Sequence, residues 1–138
     1  VGETMIVVMA AGNTPTLDLI SSTTKGSVGI AVVTQTDFLS GLIPVLANQD
    51  YRITVKMPYG MTITETTTIC TSGTCTSTFK INTTALGGTA NSVSTSEQSQ
   101  AHSSSNVAAA GDALVITISA NSSCLNMTFT IVFTRTLS

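Results

Sequence analysis

The feature that most limits the fold is an alternation of apolar and polar residues with a period of two. It is clearest near the C-terminal end of the sequence, in LNMTFTIVFTRTL. Asparagine and threonine fill almost all of the positions between the apolar ones, which are Leu125, Met127, Phe129, Ile131 and Phe133. Because successive side chains of a strand point to opposite faces, this pattern predicts a β-strand with one buried and one exposed face.

Similar patterns recur along the chain. Alternation predicts strands at residues 51–57, 61–69 and 75–81, and apolar runs predict strands at residues 16–21, 28–35 and 113–119. In the strand predicted at residues 61–69, four threonines are expected to form one exposed hydroxyl face: Thr62, Thr64, Thr66 and Thr68. Glu65 would then point inward, which the pattern does not explain.

Two segments lack a clear period. Residues 36–48 contain Pro44 and are compatible with a short helical turn before that proline or with an extended crossover; we favour irregular structure with one helical turn. Residues 83–111 are rich in Ser, Thr, Ala, Gly and Asn. A loop of that length without secondary structure is uncommon in a compact domain, so one or two weak strands are expected there, near residues 90–95.

The number and kind of elements indicate the fold class. Seven or eight short antiparallel strands with almost no helix predict an all-β protein, an Ig-like or pilin-like β-sandwich. Asp50 and Tyr51, at the start of a predicted strand, resemble the tyrosine corner of such sandwiches.

Composition narrows the function classes. Only 9% of the 138 residues are charged and the net charge is -2, which does not favour electrostatic binding of nucleic acid or anionic lipid. Twenty-six threonines and 17 serines, about 31% of the chain, must keep the surface soluble. No apolar run is long enough for a membrane-spanning helix, and we expect a secreted, processed chain that begins at Val1.

Cysteine spacing predicts one disulfide. Cys70 and Cys75 bracket the turn-forming segment TSGT, so a bridge between them would close a hairpin tip. Two alternatives are a pair of free thiols and a metal site that includes His102, although the spacing is wrong for a metal and a fourth ligand is missing. Cys124 is then left over, and is most simply a free, small apolar residue.

Residues that carry catalysis are scarce. The one histidine, His102 in QAHSSSN, is predicted to be solvated in a loop, and the carboxylates are scattered without metal-binding spacing. Aromatic residues make up 4% of the chain and tryptophan is absent, which disfavours a sugar-binding face. We therefore expect a protein that is not an enzyme and needs no cofactor.

Three sequons of the N-x-S/T type are the stronger signal, at Asn82, Asn121 and Asn126. Strand parity places Asn82 and Asn126 on solvent-facing sides, and Asn121 falls in a turn-like NSS segment. Unmodified surface asparagines are the alternative. Together with the paired cysteines and the hydroxyl-rich composition, the sequons indicate an extracellular protein that carries covalent N-glycans.

The N-terminal segment VGETMIVVMAAGN predicts a strand that is apolar on both faces, followed by a hinge of small residues. This strand is either kept in its own domain or donated to the open sheet edge of a neighbouring subunit. We favour donation, with residues 1–12 as donor strand and hinge and residues 13–138 as a single sandwich domain. The donor strand comprises Thr4, Met5, Ile6, Val7, Val8, Met9 and Ala10.

In these features the whole chain resembles the pilins of archaeal thread filaments, without a diagnostic motif. The resemblance implies a glycosylated extracellular filament for adhesion or cell–cell contact, with identical subunits joined head to tail by donor-strand complementation, as in bacterial type 1 pilins. It implies glycans at the three sequons and a receiving groove that includes some of Phe129, Ile131 and Phe133. The alternative is a monomeric extracellular β-sandwich that serves as a binding module of a cell-surface or viral coat protein.

Overall fold

The computed structural model describes residues 7–11, 14–18 and 32–137, and for the first two ranges only the backbone. Within these residues every regular element is a β-strand, which confirms the all-β prediction, and no helix there is long and apolar enough to cross a membrane. The strands are β1 (Val7–Ala11), β2 (Thr14–Asp18), β3 (Val33–Val45), β4 (Asp50–Thr54), β5 (Met61–Ile69), β6 (Ser72–Ile81), β7 (Thr84–Ala85), β8 (Asn91–Val93), β9 (Gln98–Ala101), β10 (Val107–Ala108) and β11 (Leu114–Leu137).

The chain divides into two compact units, Val1–Ala31 and Val32–Ser138. In the first unit β1 and β2 pair antiparallel, with Val7 opposite Asp18 and Ala11 opposite Thr14. The division therefore follows residue 31, whereas the sequence analysis placed a functional boundary after residue 12. That boundary concerns exchange between subunits, and it stays a prediction.

Strand β11 organises the second unit, a curled antiparallel sheet of nine strands. Its first half, from Leu114 to Ser119, pairs with β4 and β6, and its second half, from Leu125 to Leu137, pairs with β3 and β5. Between the halves the register shifts, and three residues take a positive φ: Ala120, Ser123 and Asn126. The two strands predicted at 113–119 and 125–133 are thus one strand with an irregular corner.

The prediction for residues 36–48 was wrong, because most of this segment belongs to β3. Its side chains alternate between exposed and half-buried, as expected for a strand at the edge of a sheet. Pro44 is tolerated because the pairing with β11 steps from Ile43, opposite Met127, to Val45, opposite Leu125. The residue without an N–H therefore falls outside the paired positions.

A β-bulge in β5 contradicts the prediction that its four threonines form one exposed hydroxyl face. Val132 lies opposite Glu65, but the next residue, Phe133, lies opposite Ile63, so Thr64 is an extra residue. An extra residue reverses which side chains point inward. Glu65 is therefore exposed, while Thr66 and Thr68 are completely buried rather than solvent-facing.

Four short strands lie in the low-complexity segment, β7 to β10, and β8 confirms the expected strand near residues 90–95. Strands β7 and β8 pair with β6, and β9 and β10 pair with β5. The core beneath these strands contains Phe79 and Phe129, whose rings meet edge to face with centroids 6.4 Å apart. These four short strands, which are rich in small polar residues, therefore extend the sheet on both sides around one apolar core.

Tyr51 bears out the predicted resemblance to a tyrosine corner. Its hydroxyl accepts a hydrogen bond from the backbone N–H of Ala47 at 2.8 Å and donates one to the carbonyl oxygen of Val45 at 3.4 Å. These bonds fix the connection between β3 and β4, which lie on the same side of β11.

Candidate functional site

The longest incomplete edge of the described sheet is β3. Among the described strands it pairs only with β11, so one of its sides leaves a row of backbone N–H and C=O groups unpaired. Thirteen residues of strand extend about 43 Å at 3.3 Å per residue. Such an edge can accept another strand by main-chain hydrogen bonding.

The inward side chains at this edge are only partly covered. Leu39 of β3 and Tyr51 and Ile53 of β4 pack against the core but remain half-buried. Inward residues of β6, which pairs on both sides, are buried, as Phe79 and Ile81 illustrate. The apolar core is therefore less completely covered along β3 and β4 than along β6.

A mainly apolar cleft of about 220 Å³ opens between β3, the end of β4 and β11. The residues that line it include Leu39, Met57, Tyr59, Met61, Leu114 and Phe133. Of the three residues predicted to line a receiving groove, Phe133 lies in this cleft, while Phe129 and Ile131 are buried in the core. Gly41 and Leu39 of β3 lie opposite those two residues in the register.

Arg135 contacts two of the residues that line the cleft, Tyr59 and Asp37. Its guanidinium lies 4.7 Å from the centroid of the Tyr59 ring, and its Nη2 donates a hydrogen bond to Gln35 at 2.9 Å. Nη2 also lies 3.8 Å from Oδ2 of Asp37. The side chain links β11 to β3 and holds Tyr59 at the mouth of the cleft.

Large apolar side chains are also exposed on and beside the outer face of β3. Phe38 is 66% exposed and Val45 is 70% exposed, and Leu42 lies between them with more than half of its surface exposed. An exposed, long strand edge with apolar side chains favours association with another strand.

The predicted donor strand falls within the first unit. Thr4, Met5 and Ile6 lie outside the described residues, whereas Val7, Val8, Met9 and Ala10 belong to β1. Because β1 pairs with β2 of the same chain, donation would require β1 to add a new neighbour or to exchange β2 for one.

The three sequon asparagines differ in how firmly their amides are held. Asn126 is exposed, with a φ of 52°, and among the described residues its Nδ2 donates only to the Thr71 hydroxyl, at 3.1 Å. Asn82 is also exposed, but its Nδ2 donates to Asp112 at 2.8 Å and its Oδ1 accepts from the N–H of Ala113. Asn126 is therefore the more accessible of these two sites.

Asn121 is the least accessible sequon. It is half-buried, and its Nδ2 donates to the carbonyl oxygen of Leu46 at 2.7 Å. Its Oδ1 also accepts from the N–H of Cys124 at 3.0 Å. Attaching a glycan to this Nδ2 in the folded chain would disturb the corner of β11.

The three cysteines are buried free thiols in the structure, and the Cys70–Cys75 bridge stays a prediction. Cys124, which the sequence left unpaired, is buried near both of the others. Burial and the neighbouring Cys124 raise the pKa of the Cys70 thiol to about 11. Burial also raises the pKa of Cys75 and of Cys124. In the folded chain these thiols are protonated at neutral pH and poorly reactive.

The predicted Ser-Gly turn also lies elsewhere. Residues 70–71 connect β5 to β6, and Gly73 is already in β6 with a φ of 71°. A side chain at Gly73 would collide with the backbone of Ser122 and Ser123. Glycine is required here both by the left-handed conformation and by the approach of β11.

His102 was predicted to be solvated, and this was wrong. It is buried, with Nδ1 2.8 Å from the carbonyl oxygen of Gly87 and Nε2 2.8 Å from the hydroxyl of Thr66. Since a carbonyl oxygen only accepts, Nδ1 carries a hydrogen. The Thr66 hydroxyl also bonds to Asn91, so this polar group joins β5, β8 and the segment after β9.

A search of the described residues for a metal site finds no group of three or more His, Cys, Asp or Glu side chains that could hold an ion. No protein-family model matches the sequence, and no curated protein is significantly similar to it. The assignment of a function therefore depends on the residues and the geometry given above.

Proposed function

We propose that this chain is a structural subunit of an extracellular, glycosylated filament that serves adhesion or cell–cell contact. Residues 4–10 of one subunit add as a strand along β3 of the next, so that identical subunits join head to tail. The second unit then acts as a pilin-like β-sandwich whose missing strand comes from its neighbour. Because a head-to-tail contact does not close on itself, its repetition yields a fibre.

The observation that carries this proposal is the combination of an unpaired strand edge with an apolar cleft beside it. The edge of β3 offers main-chain hydrogen bonds, and the cleft between Leu39 and Phe133 offers a pocket for an apolar side chain. Strand addition uses both, because backbone pairing gives affinity and pockets for alternate side chains give specificity.

The N-terminal segment supplies a matching strand. Residues 5–9 are all apolar, so one face can enter the cleft while the other is covered by a neighbour. Burying them would remove on the order of 300–400 Å² from water, or about 8–10 kcal/mol before ordering costs. With β2 still paired to β1, residues 19–31 connect them to the second unit, and these 13 residues could span at most about 45 Å when fully extended.

Glycans fit the remaining surface. Asn126 and Asn82 are exposed and are not among the residues that line the cleft, so glycans there would be attached outside its lining. The chain has few charges, and glycans would add hydration that its threonines and serines supply only in part.

One observation favours a second candidate function. β1 already pairs with β2 of its own chain, as it would in a monomeric extracellular binding module that keeps its N-terminal strand. In that case the β3 edge would bind a segment of a different protein. The two candidates differ in whether purified native material is polymeric.

A truncated variant tests the proposal. The intact chain is expected to form fibres visible by electron microscopy and oligomer ladders that resist SDS, and a variant without residues 1–10 is expected to form neither. Ser40→Lys places a charge at an exposed position of β3 and should block elongation in the same way. Ser92→Lys, at an exposed position of β8, is the matched control and should leave fibres intact.

Circular dichroism of the truncated chain shows whether its second unit still folds. Fibres of normal length from a folded truncated chain would refute donation by residues 4–10. An intact chain that remains a glycosylated monomer under all conditions would support the binding module instead. Equal loss of fibres in Ser40→Lys and Ser92→Lys would show that β3 is not the receiving edge.

A further inference from the structure

We propose that the buried histidine, His102, is held in the folded chain as a doubly protonated imidazolium and serves as an acid-favoured latch between two flanks of the sheet. One flank is β5 with β9, and the other is β6 with β8. Three buried side chains form the latch, those of His102, Thr66 and Asn91. The latch does not depend on the proposed function, since it lies within a single subunit.

The side-chain amide of Asn91 has a fixed orientation. Its Nδ2 donates to the carbonyl oxygen of Thr66 at 3.0 Å and to that of Gln98 at 3.1 Å. Turning the amide over would place its Oδ1 against these two carbonyl oxygens, which only accept hydrogen bonds. Oδ1 therefore faces the Thr66 hydroxyl, at 3.0 Å, and accepts its hydrogen.

The imidazole ring of His102 is also held in place. The backbone N–H of His102 donates to the carbonyl oxygen of Thr64 at 2.9 Å, and its carbonyl oxygen accepts from the side chain of Asn106 at 3.0 Å. Nδ1 donates to the carbonyl oxygen of Gly87, and Nε2 lies 2.8 Å from the Thr66 hydroxyl. The ring cannot turn away from Thr66 without losing its bond to Gly87.

A neutral ring leaves this group one hydrogen short. The Thr66 hydroxyl has a single hydrogen, which reaches either Oδ1 of Asn91 or Nε2 of His102 but not both. The contact left without it brings two lone pairs together in a buried place, which is unfavourable. A second hydrogen on the ring removes the conflict, because Nε2–H donates to Thr66 and Thr66 donates to Asn91. The chain of hydrogen bonds is complete only in the imidazolium form.

Hydrogen bonds, and no nearby carboxylate of the described residues, stabilise this charge. The carboxyl groups on the elements around the ring are those of Glu65 on β5 and Glu97 before β9, and both side chains are exposed. Both ring contacts are short, at 2.8 Å, as expected for a charged donor. The other ionisable groups on neighbouring strands are bonded elsewhere or are buried thiols, namely Lys80, which lies 3.9 Å from Asp50, Arg135, which bonds to Gln35, and Cys70 and Cys75.

The latch connects strands on opposite flanks and makes their connection depend on pH. Asn91 begins β8, and its side chain reaches Thr66 of β5 and Gln98 of β9. Loss of the ring proton breaks one contact in the chain, so folding favours proton uptake. The stabilisation is complete below about pH 6.5, where histidine in an unfolded chain is also protonated. It is lost as the pH rises through the range in which the folded ring releases its proton.

NMR of the full chain tests the proposal directly, because His102 is the one histidine in the sequence. The chain is isotope-labelled in nitrogen and measured at about pH 7.5, one unit above the ordinary midpoint of histidine, both folded and in urea. We expect hydrogens on both ring nitrogens in the folded chain and a mainly neutral ring in urea. A folded ring that lacks a hydrogen on either nitrogen at this pH would overturn the proposal.

Matched variants of β5 separate the latch from simple packing. Thr66→Val removes the acceptor for Nε2–H, so its folded ring should be mainly neutral at about pH 7.5. Thr66→Ser keeps the hydroxyl and should keep the imidazolium. Thr68→Val is the control, because the Thr68 hydroxyl is buried without a hydrogen-bond partner among the described residues, and it should also keep the imidazolium. A neutral ring in Thr66→Ser, or an imidazolium in Thr66→Val, would contradict the assigned latch.

Urea unfolding between about pH 6.5 and 7.5 gives an independent measurement. One proton taken up on folding makes the unfolding constant rise by up to about tenfold per pH unit, and Thr66→Val should lose most of this dependence. Burial raises the pKa of Cys70, Cys75 and Cys124, which also lowers stability as the pH rises, but equally in both chains. The same pH dependence in the wild-type chain and in Thr66→Val would therefore refute the latch.

Discussion

Burial alternates from residue to residue along both β3 and β6, but the two strands have very different surroundings. β6 pairs on both sides, and its inward residues from Cys75 to Ile81 are buried. β3 pairs on one side among the described strands, and its inward Leu39 remains half-buried while its outward Phe38 is exposed. The difference shows that alternation determines which side chains face the core, whereas neighbouring strands determine how completely they are covered.

Replacing a phenylalanine in each region tests this comparison with the largest expected effect. Phe129→Ala should lower the free energy of unfolding by about 3–5 kcal/mol, because the ring is buried against Phe79. Phe38→Ala should change it by less than about 0.5 kcal/mol in an isolated subunit. Urea unfolding followed by circular dichroism measures both. Similar losses in the two variants would show that the β3 edge is covered in the isolated chain.

Buried threonines on β5 test what pairing does for polar groups inside the sheet. Thr66→Val should destabilise the chain by about 1–3 kcal/mol, because Asn91 and His102 each lose a hydrogen-bond partner. Thr68 is its matched control, since its hydroxyl is equally buried but has no hydrogen-bond partner among the described residues. Thr68→Val should be neutral or stabilising by up to about 1 kcal/mol. Equal destabilisation in the two variants, by urea unfolding, would contradict the assigned network.

Gly41 connects the edge strand to the core. A Cβ at this position would lie 2.6 Å from Cζ of Phe129, so Gly41→Ala should cost about 1–3 kcal/mol. Gly60→Ala is the control, because its nearest neighbour would be the carbonyl oxygen of Ala108 at 3.4 Å. Thermal unfolding of both variants, and of Gly41→Ala combined with Phe129→Leu, measures the effect. A cost that persists unchanged in the double variant would exclude the ring as its cause.

The sequence predicted the strands whose apolar residues alternate without interruption. The alternate apolar residues from Met127 to Phe133 are buried as expected, because this segment pairs with β3 without a register shift. It did not predict the bulge at Thr64, because one extra residue reverses the faces without a glycine or proline to mark it. That single shift buries Thr66. The burial of His102, which contacts Thr66, was missed for the same reason.

The candidate site was predictable only in part. The apolar N-terminal segment was visible in the sequence, but the strand that could receive it was not, because Pro44 made residues 36–48 look irregular. Pairing across 80 residues or more, between β3 and β11, determines that edge, and local patterns do not report such contacts. For the same reason the sequence does not show that Cys124 lies near Cys70, because Cys124 is carried by the corner of β11, which is distant from Cys70 along the chain.

The smallest expected effect concerns the pKa of the Asp112 carboxyl group, which is exposed at the end of the well-paired region. Asp112 accepts hydrogen bonds from Asn82, which follows β6, and from the N–H of Ala109, and both lower the pKa of its carboxyl group below the ordinary value of 3.8. A depressed pKa in the folded chain means that this carboxylate contributes stability above its unfolded pKa. The contribution is lost as the pH falls through the lower, folded value.

An NMR titration of the Asp112 carboxyl carbon measures this shift directly. Asn82→Ala removes the larger cause, so the pKa should rise towards its ordinary value, while Ser92→Ala, on the surface of β8, should leave it unchanged. A pKa that stays low in Asn82→Ala would assign the shift to Ala109 alone. If instead the wild-type pKa is not lowered, the side chain of Asn82 is not held by Asp112 in solution, and this sequon would be as accessible as Asn126.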